Sequence, residues 1–313
     1  MNFRVPSCIS GLTTLSLGIS LSMMSIASLA NSGEKLFNRI ATFPVYLNTD
    51  IDAETVAEIV DVGNNGKTLV YTDSQTGKLG FVGISNPAKP RALGAIDVGG
   101  EPTSVAVTGE FALVAVNTSP GYMTPSGHLH VVDIKSHAIV ATHMLAGQPD
   151  SVAVSPDGRY AAVVIENERD EDLGSGEPPQ APSGLLQIVD LAGQPVDWSL
   201  RDVNLDGIAD LYPDDAEPEF VDINSRNIAV VTLQENNHIV LIDLVSGTVI
   251  NDFSAGTVDL VNIDMQEEDP ALISLTGSQP ERAREPDGVS WITNDLFAIA
   301  GEGDLFGGSR GIT

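Results

Sequence analysis

The stretch Asp202-Val203-Asn204-Leu205-Asp206-Gly207-Ile208-Ala209-Asp210 has the form D-x-N-x-D-G-x-x-D. Alternating side-chain oxygens, a glycine turn, a backbone carbonyl and a final acid can wrap a Ca2+ ion. The ligands would be Asp202, Asn204, Asp206, the Ile208 carbonyl and Asp210. Where an EF-hand places its last glutamate this chain has Pro213, and the flanks read as strand and loop. The expectation is an EF-like calcium loop without the helix pair.

A second group of oxygens is spread along the chain. Glu101, Asp150, Glu217, Glu219, Glu285 and Asp287 precede or open one recurring apolar strand. Asp73, Asn117, Glu166, Asn167, Glu235, Asn236, Glu302 and Asp304 follow the next strand. In an up-and-down antiparallel sheet these two positions lie at the same end. Carboxylates crowded there repel unless some are protonated or a cation neutralises them. Hard oxygen ligands suit Ca2+ or Mg2+ rather than zinc. The plainer alternative is that they are solvated turn residues. His128 and His130 share one face of a strand, but no third soft ligand is near. Gly307-Gly308-Ser309-Arg310-Gly311 matches G-x-S-x-G, but lacks the downstream Asp and His of a hydrolase elbow.

The elements that must position these residues come from an internal repeat. Glu101-Pro102-Thr103-Ser104-Val105-Ala106-Val107 matches Gln148-Pro149-Asp150-Ser151-Val152-Ala153-Val154. Glu217-Pro218-Glu219-Phe220-Val221-Asp222-Ile223 and Glu285-Pro286-Asp287-Gly288-Val289-Ser290-Trp291 repeat it, and Ala57–Val62 is a weaker first copy. A second, third and fourth short strand follow most copies, with turn signals such as Asn64-Asn65-Gly66 and Pro156-Asp157-Gly158. Four short strands per repeat predict an all-β fold, a β-propeller of four-stranded antiparallel blades. A β-sandwich would not repeat its sequence every four strands. The count gives about four full blades and part of a fifth over residues 51–313, with inserts at about 166–183 and 193–216. Residues 31–50 are expected to supply a strand that closes the last blade. The ring is expected to be incomplete and the chain to be truncated at Thr313.

The charge is lopsided: 15 Lys+Arg against 43 Asp+Glu, net −28, with 42% hydrophobic residues. Such a chain can bury a sizeable core, but its field excludes a basic nucleic-acid groove and makes cations the natural partners. Residues 1–30 read as a secretory signal peptide: Arg4, an apolar run from Ile9 to Leu29, and a small-x-small end at Ser28-Leu29-Ala30. No membrane span is expected after its removal, which also removes Cys8, the only cysteine. The expected location is the periplasm or the exterior.

The segments Glu217-Pro218-Glu219-Phe220, Val231-Thr232-Leu233-Gln234-Glu235-Asn236-Asn237, Arg284-Glu285-Pro286-Asp287-Gly288-Val289-Ser290-Trp291 and Gly301-Glu302-Gly303-Asp304 resemble the choice-of-anchor I family of secreted bacterial propellers. In that family the last motif usually begins with Asn, where this chain has Gly301. The resemblance spans about residues 40–313. Relatives are described as alkaline-phosphatase-like or joined to a phytase-like esterase module, so it implies an extracellular propeller with a link to phosphate esters.

Three readings stay open at this point. One is a Ca2+-stabilised binding or scaffold module of unknown ligand, with cations, small phosphate esters or cell-surface components as candidate partners. The second is a metal-dependent phosphoesterase in which Arg284 and Arg310 clamp phosphate. The third is a remnant without activity.

Overall fold

The computed structural model describes residues 38–303, 305 and 307–313. The leader expected over residues 1–30, and Asp304, lie outside them. The first blade comprises β1 (Ala57–Gly63), β2 (Thr68–Asp73), β3 (Lys78–Gly83) and β4 (Arg91–Asp97). The second comprises β5 (Glu101–Thr108), β6 (Phe111–Asn117), β7 (Gly127–Asp133) and β8 (Ala138–Met144). The third has β9 (Pro149–Val154), β10 (Tyr160–Ile165), β11 (Leu185–Asp190) and β12 (Ser199–Asn204). The fourth has β13 (Pro218–Ile223), β14 (Ile228–Leu233), β15 (His238–Asp243) and β16 (Thr248–Ser254). A separate hairpin, β17 (Thr257–Ile263) with β18 (Gly277–Ala283), precedes a three-stranded fifth blade of β19 (Pro286–Thr293), β20 (Leu296–Gly301) and β21 (Gly311–Ile312). All pairings are antiparallel, so the expected propeller of four full blades and part of a fifth is the fold.

The blades stand in a ring because the second strand of each is apolar on both faces. In β6, Ala112, Val114 and Val116 pack toward the first blade, while Leu113 and Ala115 pack toward the third. The period-two alternation of a strand does this directly. One core cluster fills each interface, with Phe81 and Leu79 between blades one and two and Leu186, Ile188 and Ile242 between three and four. The cluster between blades four and five is small: Val230, Ile239, Val289 and Ile299. The inner strands touch in series, β1 to β5, β9, β13 and β19.

The repeated proline locks neighbouring blades. A Cβ on Gly127 would lie 2.3 Å from Pro149 Cδ, and one on Gly184 would lie 2.4 Å from Pro218 Cδ. Each proline ring therefore packs on bare backbone at the start of the preceding blade's third strand. A second lock is carried by an aspartate on the first strand. Asp61 accepts from Val107 N (2.7 Å) in the next blade, and Asp222 accepts from Trp291 N (2.6 Å) and Ser290 Oγ (3.2 Å).

Two expectations need correction. Val45–Asn48 is a 3-10 turn, not a strand that closes the fifth blade. Asn48 pins it to the first blade, donating to Tyr71 Oη (3.0 Å) and Phe81 O (2.9 Å) and accepting from Gly94 N (2.9 Å). The supposed insert at 193–216 contains the fourth strand of the third blade, β12, whose six residues pair in register with β11. The hairpin β17–β18 had no counterpart in the repeat and was not expected.

Removing the Asp222 carboxylate leaves the Trp291 and Ile223 amides without their acceptor. Asp222→Ala should cost about 1.5–3 kcal/mol, the usual value for hydrogen bonds to a charged group. Urea unfolding checks this, with Ser290→Ala expected to cost less.

Candidate functional site: an acidic cavity on the propeller axis

In every blade the first strand carries a bulge just after the position of the repeated proline. The register slips between Ala57 and Val60, Pro102 and Ser104, and Pro218 and Val221, and again between Pro286 and Val289. In the third blade the slip falls between Pro149 and Val152. A bulge re-aims the extra residue's side chain. Here it turns Glu58, Thr103, Asp150, Glu219 and Asp287 into one cavity of about 510 Å3. Thr72 and Thr232 brace two of the bulges, accepting from Ile59 N (3.1 Å) and Phe220 N (3.0 Å).

The second strands end on the same cavity. Ser74, Glu166, Gln234 and Glu302 form a second set, joined by Glu168, Glu171 and Glu235. Gln234 Nε2 bridges blades four and five by donating to Glu302 (3.1 Å). Asp150, Glu166 and Glu219 converge most closely: one carboxylate oxygen from each lies within 4.8 Å of the other two. Among the described residues they are the one such group of three or more metal-type ligands.

Burial first, and mutual repulsion second, set the protonation of these acids. Asp150 is pushed up to about 7 by burial, with Asp287, Glu168 and Glu58 adding to it. Burial also holds Glu166 and Glu219 well above the carboxylate range, reinforced for Glu166 by Asp150 and Glu168 and for Glu219 by Glu166 and Asp150. Asp287 is raised by burial and then by Glu302. At neutral pH the trio therefore retains protons, and a cation that displaced them would meet three ionised oxygen ligands.

The anticipated acids divide into two groups. Asp150, Glu219, Asp287 and Glu302 line the cavity, with Glu101 at its exposed rim, where it accepts from Asn117 Nδ2 (3.4 Å). Glu217 and Glu285 do not line it. They precede the proline rather than follow it, and the chain buries them at 2% and 0% exposure. Burial, Glu235 and Asp215 push Glu217 up to about 10, so it keeps its proton and hydrogen-bonds Asp215. Asp73 instead accepts from Val56 N and Thr76 N in a turn.

The loop motif lies elsewhere. Asp202 and Asn204 sit on β12, and Asp202 accepts from Gln187 Nε2 (2.7 Å). Asn204 caps Asp206 N (3.0 Å), and Asp206 accepts from Ser183 Oγ (2.6 Å). Asp210 is exposed, Ile208 packs against the core between blades three and four, and Gly207 turns the chain with φ +75°. The three aspartates do not reach the mutual 4.8 Å spacing of the central trio. His130 is buried, with Nδ1 on Thr142 Oγ1 (2.9 Å) and Nε2 donating to Val98 O (3.0 Å), which accounts for both ring nitrogens.

Arg284 and Arg310 line a separate cavity of about 160 Å3. Arg284 donates to Ala255 O (3.1 Å) and Thr257 O (2.6 Å), and Arg310 donates to Glu302 O (2.9 Å). The cation that does line the central cavity is Arg169, which was not anticipated as a site residue. It pairs with Glu235 and lies 3.5 Å from Glu171. Its place in the loop after β10, three residues beyond Glu166, was the available signal. Glu58 was missed because its repeat has Ala57 where the others have proline.

These features define an all-β propeller with an acidic axial cavity. The chain belongs to the choice-of-anchor I family, whose domain model matches residues 58–307. That family fits a protein secreted or anchored at a surface. Among the described residues no helix is long and apolar enough to cross a membrane. Comparison with curated proteins gives no match. The fold is similar to a catalytically inactive virginiamycin B lyase from Staphylococcus aureus with quinupristin, at 13% identity and TM-score 0.51, covering 84% of this chain and 71% of that one. The hydrazine synthase of Kuenenia stuttgartiensis aligns at 16% identity and TM-score 0.43, covering 82% and 83%.

The raised acids make a pH prediction. A folded-state carboxyl that titrates higher than in the unfolded chain makes the native state bind more protons above about pH 4. Stability then falls as pH rises toward about 7 for Asp150. Chelator-treated protein should melt lower at about pH 8 than at about pH 5, and Asp150→Asn should reduce that difference. An undiminished difference in the variant would count against a raised Asp150.

Proposed function

We propose that this protein is an exported binding propeller whose axial cavity holds a divalent cation, Ca2+ by its ligand chemistry. The observation that carries the reading is the convergence of Asp150, Glu166 and Glu219 within 4.8 Å. The third blade supplies Asp150 and Glu166 and the fourth supplies Glu219, each on or next to a strand, which suits a hard cation whose remaining positions are filled by water or ligand. The surrounding carboxylates raise the local cation concentration and disfavour anions. Export is supported by the leader-like residues 1–30 and by the family.

A metal-dependent phosphoesterase has less behind it. Arg284 and Arg310 donate to backbone carbonyls away from the trio. Arg169, beside the trio, is paired with Glu235. A phosphate in this cavity would face at least seven carboxylates with little compensation.

Calorimetry on chelator-treated protein tests the reading. Ca2+ should bind with heat and raise the melting temperature, and Asp150→Asn or Glu219→Gln should weaken binding by about tenfold or more. Absence of both heat and a melting shift in the unaltered protein would overturn it.

A further inference from the structure

The insert that follows β10 is fastened over the axial cavity rather than loose. Asn167 accepts from Gln148 N (2.9 Å) and donates to Ser183 O (3.1 Å). Gln180 accepts from Asp170 N (2.9 Å) and donates to Asp170 O (3.0 Å). This small frame sets Arg169 at 8% exposure, with Nε donating to Gly176 O (3.1 Å) and Nη1 donating to Glu235. Glu235 belongs to the fourth blade and is 2% exposed. The pair therefore crosses a blade boundary at the cavity wall.

Its position matters because both charges act on the ligand trio. Glu235 repels charge on Glu166 and Glu219, and Arg169 favours the ionised form of Glu166. In such a site one buried positive charge opposes an incoming cation, and one buried carboxylate attracts it. Held as a pair, the two largely cancel.

We infer that Arg169 and Glu235 form an internal counter-ion pair that sets the cation affinity of the axial cavity. The pair lets the trio define the site, while Glu235 is kept from acting as a further cation ligand. Arg169 is thus a specificity-determining residue supplied by the insert of the third blade. This inference rests on the cation-binding reading given above.

A double-mutant cycle read by Ca2+ calorimetry and Ca2+-dependent melting tests it. Glu235→Gln removes the buried carboxylate that offsets Arg169 beside the trio and should weaken Ca2+ by about tenfold or more. Arg169→Met frees the Glu235 charge and should tighten Ca2+ by about tenfold, with a larger melting gain on Ca2+ addition than in the unaltered protein. The double variant should return to within about threefold of the original affinity, and Arg169→Lys should stay near it. If Arg169→Met does not fold without metal, its rescue by Ca2+ is the supporting result, and failure of Ca2+ to rescue it is the opposing one. A merely structural pair would lower the melting temperature in both single variants while leaving Ca2+ affinity within about twofold. That outcome overturns the inference alone. An unaltered protein that takes no Ca2+ overturns the cation reading, and the inference with it.

Discussion

Two apolar faces on one twisted sheet cannot both be covered by that sheet's own strands. The middle strands show this most directly: Ala112 to Val116, Ala161 to Ile165 and Ala229 to Val231 are shielded on both sides. Each blade must therefore lie between two others, and a series of such sheets curves around an axis. The edges that meet there are the first strands, so whatever residue type they carry is brought together five times over. The axial cavity is a consequence of core packing before it is a feature of function.

The chemistry of the cavity follows from a local irregularity repeated in each blade. Without the bulges, residues two apart on the first strand would share a face, and Glu217 and Glu219 would point alike. The extra residue breaks that equivalence. Glu219 turns to the axis among other acids, whereas Glu217 is buried behind the proline and keeps its proton. The same slip separates Asp287 from Glu285. Carboxylates held this close by strand ends cannot move apart, so the cavity meets its charge by holding protons, by the Arg169 ion pair, or by taking a cation.

Much of this was legible in the amino-acid order. Repeats such as Glu217-Pro218-Glu219 and Glu285-Pro286-Asp287 marked the blades, and the alternation of strand ends placed the acids at one end of the disc. Period-two patterns and turn residues encode those features locally, so no distant contact is needed to read them. The backbone of the 202–210 motif was not legible in the same way. Its first half is β12, paired along its length with β11, and that pairing is a contact between strands rather than a property of the motif. The 3-10 turn at Val45–Asn48 was equally unreadable, because Asn48 acts on Tyr71, Phe81 and Gly94 far along the chain.

The sequence by itself determined the architecture, the number of repeats and the concentration of acid at one end of the strands, because periodicity and turn chemistry are short-range properties. Only the tertiary structure decided which acids share the axis. It separated Asp150, Glu166 and Glu219 from Glu217 and Glu285, and brought Arg169 to Glu235 across a blade boundary. Convergence depends on the angle between blades and on a one-residue bulge in each. Both are set by packing over the whole ring, which no single repeat contains.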